Sequence, residues 1–309
     1  MRYYLRDSVL FVRGQFRAAS NGADGGVANI CTILNVTVPR NFSEDAAAYL
    51  DRISTWHGFL QPHFGLLTAV PMSNLCIARY DDVTVFVTAA VSDRNRTINI
   101  IVVVARPLSD AALLGEMMTA SEAKMQVLAE RNLQATAGPT DAIVVASERS
   151  DGDVEMFAGP LTETGERISK AVGHALTEAL VRFDNYLLST WGVSHGWSRS
   201  PSGVVKRDRP SFFIYSRYGG DHWNEWIPEG CPYYPCHNFA GQRCSFCYCL
   251  LYPCMDSLFG HLIETPAGDV WSCMDCRFIH EPAVTAHLLR NPEAGIAELK
   301  AVWKKLESS

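Results

Sequence analysis

The 309-residue sequence has no long hydrophobic run. One of its longest, Ile100 to Ala105, is far short of the roughly 20 apolar residues that cross a bilayer. Nor does it have an excess of positive charge: 27 Lys and Arg stand against 33 Asp and Glu, a net charge of −6. That argues against a nucleic-acid binder held by a basic footprint. The one basic cluster, Lys206-Arg207-Asp208-Arg209, reads as a solvated linker. The opening MRYYLRDSVLFVRG lacks the pattern of a signal peptide, so the expectation is a cytoplasmic protein, neither in nor on a membrane. GxGxxG, P-loop and HExxH motifs are absent, as are solenoid repeats. Ahead of residue 231 only Cys31 and Cys76 occur.

The cysteines are crowded at the other end. Eight of the ten lie between Cys231 and Cys276, in CPYYPCH, CSFCYC, YPC and CMDC, with His280 four residues on. In a reducing cytosol, clustered cysteines read as metal ligands rather than disulfides. Tetrahedral zinc takes four thiolate or imidazole ligands, and a C-x2-C pair supplies two from one tight turn. Cys244/Cys247 and Cys273/Cys276 offer one such set. Cys231, Cys236, Cys249 and Cys254 offer a second, with His237, His261 and His280 as alternates. About two structural zinc ions are expected, because a unit this small needs metal to hold it together. An iron–sulfur cluster is the other option. The interleaved aromatics read as packing around the metal.

The first ~190 residues alternate strand and helix patterns. Strands are expected at Val9–Arg13, Ile30–Val38, Gly65–Val70, Leu75–Tyr80, Val83–Val91, Thr97–Ala105 and Thr140–Ala146, with a tight turn at Asp81-Asp82. Helices are expected at Asp45–Ile53, at Ser109–Glu130 with Leu114, Met118, Met125 and Leu128 on the buried stripe, and at Thr162–Tyr186 with Ile168, Val172, Leu176, Leu180 and Phe183 inward. Adjacent strands without intervening helices predict an α+β fold, a mixed or antiparallel sheet packed with helices. Gly, Ser, Pro and charge mark residues 192–209 as a linker between a domain at 1–191 and a cysteine-rich domain at 210–309. The latter is expected to close with a helix at Pro292–Leu306.

Polar residues inside apolar elements are the candidates for chemistry. Asn99 interrupts TINIIVVVA and shares a face with Ile101 and Val103. It reads as a strand-end amide or as an amide at the mouth of a site. Glu122, four residues after Met118 and three before Met125, falls beside the expected stripe, so it is either paired at a helix edge or raised in pKa for acid/base work. Thr119 lies one turn earlier. Asp141 opens the strand DAIVVA, as a loop residue or a strand-end site group. Thr68 and Thr88 lie in small-residue segments that allow close ligand approach or tight packing. His57 and His63 read as loop histidines or acid/base groups.

GLLTAV, TINIIVVVARPLSDAALLGEMMTASEAKMQVLAE, PTDAIVVAS and FAGPLTETGERISKAVGHAL together resemble the adenosylcobinamide amidohydrolase family, over about residues 1–190. The C-terminus resembles a cysteine-rich domain fused to some archaeal members. The resemblance implies an amidohydrolase that cleaves the amide between the aminopropanol arm and the corrin ring of adenosylcobinamide. The products would be adenosylcobyric acid and 1-amino-2-propanol, in salvage of corrinoids for coenzyme B12. Its partner is then a small corrinoid, and a homo-oligomer stays open. Where family members show a glycine and an asparagine after the TA of the VTA strand, this chain has Ala90-Val91-Ser92. That departure motivates a rival reading, a corrinoid-binding or regulatory protein without hydrolysis. An iron–sulfur redox protein is the second rival. Amide hydrolysis needs an activated water or nucleophile, an oxyanion stabiliser and an acid for the amine. The residues themselves point to Glu122 or Asp141 as acid/base, to Asn99 and Thr119 as carbonyl-positioning groups, and to Thr88 or Thr68 as a nucleophile.

Overall fold

A computed structural model describes residues 1–59, 62–92, 95–133, 141–149, 152–190, 213–214, 237, 239–243, 245–246, 249–251, 254–265, 268–273, 275–291 and 293–307. The chain forms two compact units. The first runs from Arg6 to Arg217; the second comprises Tyr218–Ser309 together with the N-terminal residues Arg2–Leu5. The expected linker, 192–209, lies outside the described residues.

In chain order the elements begin with β1 (Arg2–Arg6), β2 (Val9–Ser20) and β3 (Gly26–Thr37). Next come α1 (Ala46–Trp56), β4 (His63–Thr68), β5 (Cys76–Tyr80), β6 (Val83–Ser92) and β7 (Asn95–Val104). Then follow α2 (Asp110–Glu130), β8 (Ala142–Glu148), α3 (Glu163–Thr190) and the short β9 (Phe213–Ile214). The first unit's sheet has the order β4-β3-β2-β8-β7-β6-β5-β9. β3/β4 and β7/β8 are parallel, each joined through a helix. The β2/β3, β2/β8, β6/β7, β5/β6 and β5/β9 pairs are antiparallel. The fold is therefore α+β with a mixed sheet.

One face of the sheet carries the helices. Val83, Val85, Val87 and Ala89 of β6 and Ile98, Ile100, Val102 and Val104 of β7 alternate onto it, as period-two strands must. They pack against Leu113, Ala120, Val127, Ile168, Val172 and Leu176 of α2 and α3. The opposite face is closed by the sheet itself. Three strands separate β4 from β7 in the sheet order, yet the Leu67 carbonyl of β4 accepts a hydrogen bond from Asn99 of β7 at 2.9 Å. The sheet must coil back on itself to make that contact. A register shift between Arg13 and Phe16 in β2 marks where the chain bends.

Local signals explain the helices. Ser109 caps α2, accepting from the Ala112 amide at 3.1 Å. Asn132, in the left-handed region at φ 54, ends it, with the Leu133 amide returning to Leu128 O at 2.9 Å. All five inward residues expected on α3 are buried. The expected stripe of α2 needs correction. Leu114 and Met118 are 49 % and 65 % exposed, and the buried row is Ala112, Leu113, Glu116, Thr119, Ala120, Ala123, Lys124, Val127 and Leu128. The helix lies against both the sheet and α3, where close approach favours alanine, so the bulkiest side chains do not mark the inner face.

The second unit contains the antiparallel hairpin of β10 (His261–Thr265) and β11 (Gly268–Ser272), then α4 (Pro282–Arg290) and α5 (Ile296–Glu307). The hairpin lies between the Cys244/Cys247 and Cys273/Cys276 pairs, whose separation leaves room for one, whereas α4 had no counterpart in the sequence reading. The closing helix starts at Ile296, and Pro292 lies outside the described residues. Its aromatic centre stacks Phe259 on Phe278 at 4.2 Å, with the Trp303 ring 5.4 Å from Phe278. Tyr4 donates to Glu293 Oε1 at 2.8 Å, which ties the N-terminal segment into this unit.

Candidate active site and cysteine cluster

Asn99 is fully buried on the inner face of the coiled sheet, as its alternation with Ile98 and Ile100 requires. Its side-chain nitrogen donates to Asn35 Oδ1 at 3.0 Å and to Leu67 O at 2.9 Å. Asn35 Nδ2 in turn donates to Thr88 Oγ1 at 3.0 Å. Asn99 and Thr88 are register partners on β7 and β6, so the sheet itself brings them together. Both acceptors of Asn99 face its nitrogen, and Asn99 Oδ1 is left buried with no partner among the described residues. A buried carbonyl in that state costs about 1–3 kcal/mol and is rare in folded proteins. The sequence reading missed Asn35. Its signal was the same as that of Asn99, a lone amide inside the apolar run ICTILNVTV. Thr68, also buried, accepts from the Val70 amide at 3.1 Å.

Asp141 lies apart from that network. Its Oδ1 accepts from the Ile98 amide at 2.9 Å, and its Oδ2 accepts from Lys124 Nζ at 2.9 Å. Both side chains are almost wholly buried. This closed ion pair locks α2 to the starts of β7 and β8. Thr140 lies outside the described residues.

Glu122 is exposed, contrary to its expected place beside the buried stripe. The corrected phase of α2 puts Glu116 inside instead, with no exposed surface. Neither of its carboxylate oxygens has a partner among the described residues. Burial pushes its pKa up to about 7; the Thr119 hydroxyl opposes this and the Glu155 charge adds to it. Thr119, equally buried, donates to Gly115 O at 3.1 Å. The structure thus gathers Asn99 with Thr88, and Thr119 with Glu116, and leaves Asp141 and Glu122 apart. His57 and His63 both have pKa values lowered by burial.

A carboxyl held neutral in the fold makes stability depend on pH. The unfolded chain releases the Glu116 proton near 4.5, while the fold keeps it to about 7. Across that window the folded state binds more protons, so stability falls as pH rises and levels off above the folded value. Glu116→Gln removes the penalty. Its urea midpoint should therefore rise relative to wild type between pH 5 and 8, by the equivalent of about 2–3 kcal/mol. A difference that does not change with pH would contradict a neutral buried Glu116.

A cleft of about 400 Å³ opens at the carboxyl ends of the parallel pair β7/β8, lined by Arg17, Asn29, Pro107, Leu108, Ser147, Glu148 and Arg149. Ligands collect at such strand ends in open sheets. Arg17 lies across a bidentate ion pair with Asp110, at 2.7 and 2.6 Å. Leu108 also bridges to Glu155. The segment that follows passes over α2 closely enough that a methyl group on Gly115 would overlap the Ala158 carbonyl.

In the second unit, Cys249, Cys254, Cys273 and Cys276 are free thiols. The Cys276 amide donates to Cys273 O at 3.0 Å, the turn that aims both sulfurs of a C-x2-C pair to one side. Cys249 has φ 50, and its amide donates to Phe246 O at 2.7 Å. Burial pushes the Cys249 thiol up to about 12 and Cys273 up to about 11, and the charges of neighbouring cysteines add to both shifts. His237 and His280 face each other with ring centres 4.6 Å apart, and His280 Nδ1 is 2.7 Å from Arg243 O. Among the described residues no three His, Cys, Asp or Glu side chains form a group that could hold a metal ion. Cys231, Cys236, Cys244 and Cys247 lie outside the described residues.

Residues 6–186 match the family model described as adenosylcobinamide amidohydrolase, and residues 222–303 match the one described as cysteine-rich small domain. A protein of Methanosarcina mazei named adenosylcobinamide amidohydrolase is 36% identical over 187 residues, which cover 56% of this chain and 94% of that protein. An uncharacterized protein of Methanocaldococcus jannaschii is 48% identical over 63 residues, 20% of this chain and 52% of the relative. Among solved structures, the PH0078 protein from Pyrococcus horikoshii OT3 aligns with a TM-score of 0.35 and 13% identity, over 59% of this chain and 78% of that one. The α+β unit carrying this buried polar site is that of an amidohydrolase. The chain belongs to the adenosylcobinamide amidohydrolase family, with a cysteine-rich small domain following it.

Proposed function

We propose that this protein hydrolyses the amide linking the aminopropanol arm to the corrin ring of adenosylcobinamide. Water adds to the amide carbonyl and the C–N bond breaks, giving adenosylcobyric acid and 1-amino-2-propanol. The observation that carries this reading is the continuous match of residues 6–186, together with a relative of that name matched over 94% of its length. The role would be salvage of incomplete corrinoids. The partner is a small molecule, and the setting we propose is the cytoplasm. No helix among the described residues is long and apolar enough to cross a membrane.

Asn99 and Thr88 are the groups we assign to holding the scissile amide. Asn99 Oδ1 lacks a donor among the described residues, and an amide N–H would supply one. Asp141 already has two partners, which favours a structural role. Glu122 is exposed on α2 and is not kept as the base.

The cysteine-rich unit is proposed to hold about two structural zinc ions, since eight thiols satisfy two four-ligand sites. Cys244, Cys247, Cys273 and Cys276 would form one of them, and Cys231, Cys236, Cys249 and Cys254 the other. If His280 donates Nδ1–H to Arg243 O, its Nε2 is the acceptor, the arrangement that orients metal-binding histidines. Zinc there would cross-link the loops and supply no chemistry to the hydrolysis.

One preparation tests both statements. Purified protein with adenosylcobinamide should release 1-amino-2-propanol, with one oxygen from labelled water in the new carboxylate. Substrate that stays intact while bound would instead establish a corrinoid-binding protein. Elemental analysis of the same sample should give zinc, and iron with visible absorbance would replace it by a cluster.

A further inference from the structure

Helix α2 carries two apolar faces, and the sheet and α3 cover one of them. Its inner row includes Ala112, Leu113, Ala120, Val127 and Leu128, all buried. On the outer side Ala111, Leu114, Met118, Ser121 and Met125 form a second row, spaced by three and four residues. That spacing is the seam by which one helix packs on another. Yet Ala111 is exposed, and Leu114 and Met118 are 49 % and 65 % exposed. The segment 152–162 widens this surface. The Ala158 carbonyl lies over Gly115, the residue after Leu114. Met156, Phe157 and Leu161 of the segment are 58 %, 80 % and 101 % exposed. Their backbone is held at both ends. Ser109 N donates to Glu155 O at 3.0 Å, and Ser109 Oγ donates to Met156 O at 2.7 Å. At the far end Thr162 Oγ1 donates to Gly159 O at 2.9 Å, and Thr164 Oγ1 donates to the Glu155 carboxylate at 2.8 Å. The apolar side chains therefore stand out from a fixed chain.

We infer that this surface binds its counterpart on a second copy of the chain, forming a twofold homodimer. Area is the first argument for that occupant. Leu114, Met118, Met156, Phe157 and Leu161 together expose on the order of 650 Å². The largest apolar patch on a typical monomer is about 300–600 Å², and each partner in a standard interface gives about 800 Å². Self-complementarity is the second. In a twofold interface the same patch on each copy meets the other. Two α2 helices paired antiparallel about Met118 set Ala111 opposite Met125 and Leu114 beside Ser121. Small side chains then face large ones, as ridges packed into grooves require.

Charge argues against other occupants. Across residues 110–130 and 152–163 the sole Lys or Arg is Lys124, and it is buried against Asp141. A helix lying on an anionic membrane carries Lys or Arg along its polar face, and a nucleic-acid surface is basic. Acids at the edge of the patch are held within the chain, Asp110 by Arg17 and Glu163 by Arg167. They therefore oppose the approach of a second copy only weakly. Glu122, exposed beside Met118, falls at the polar rim that such interfaces have. The dimer is independent of the proposed hydrolysis.

Sedimentation velocity of the full chain from about 1 to 100 μM tests the dimer. Wild type should sediment with twice the mass of the chain at the upper end of that range, without larger species. The dimer should persist in about 1 M salt, where charges are screened beyond ~3 Å. Met118→Asp and Phe157→Asp should each weaken it at least about 100-fold, because each buries a carboxylate in an apolar interface. Both variants should keep the far-UV circular dichroism of wild type, since both side chains are exposed in the single chain. Trp56→Asp on α1 removes an equally exposed apolar residue and should leave the dimer intact. Wild type that stays monomeric at every concentration would overturn the inference and leave the surface to a different protein. A dimer whose affinity neither variant changes, or one lost in Trp56→Asp alone, would also overturn it.

Discussion

Lys124→Met is expected to lower the unfolding free energy by about 3–5 kcal/mol, seen as a fall in urea midpoint with an unchanged slope. The pair it breaks is deep: the Lys124 and Asp141 side chains are 4 % and 6 % exposed, with Nζ and Oδ2 2.9 Å apart. Methionine fills a similar volume, so little of the loss comes from packing. The loss comes from an anion left in the interior without its counter-charge. Asp141→Asn should cost a comparable amount, because Lys124 is then the orphan even though the amide can still accept from Ile98 N. In Lys124→Met/Asp141→Asn neither charge is left, and most of the loss should be recovered. Additive single losses would show that the two groups act independently. A cost below about 1 kcal/mol for Lys124→Met would mean that the pair is open to water.

Gly165→Ala is expected to destabilise by about 2–3 kcal/mol, whereas Gly173→Ala, two turns further along the same helix, should stabilise by about 0.5–1 kcal/mol. Helix propensity alone would predict a gain at both sites. The tertiary surroundings separate them. A methyl on Gly173 would meet only Val127 Cγ2, at 3.9 Å, an ordinary contact. On Gly165 it would overlap the Gly159 carbonyl oxygen. That carbonyl also accepts from the Thr162 hydroxyl at 2.9 Å, and the same hydroxyl caps α3 by accepting from Gly165 N at 3.0 Å. Relief of the clash must push the 159–162 turn outward and weaken the cap. A thermal midpoint for Gly165→Ala equal to wild type would contradict the close approach.

Much of the framework could be read directly from the chain. Alternation in TINIIVVVA placed Asn99 on the face opposite Ile98 and Ile100. The 3.6-residue spacing of Ile168, Val172, Leu176, Leu180 and Phe183 set the inward face of α3. Ser109, Asp45 and Thr162 announced helix starts through their side-chain oxygens. The phase of α2 was harder. Its buried row mixes alanines with Glu116, Thr119 and Lys124, and hydropathy favours Leu114 and Met118 over such a row. That error put the buried carboxylate of the helix at Glu122 instead of Glu116.

The sequence by itself determined the elements, the mixed α+β class, the membership of the family and the crowding of thiols near the C-terminus. These follow from short-range periodicity, capping chemistry and motif identity, which need no knowledge of distant neighbours. Only the tertiary structure decided that the sheet coils until Asn35, Thr88 and Asn99 meet, that Lys124 finds Asp141, and that Glu116 is buried. Each of those outcomes depends on which surfaces pack together. Burial sets the cost of a polar group, and one sequence pattern is compatible with either face of a helix being buried.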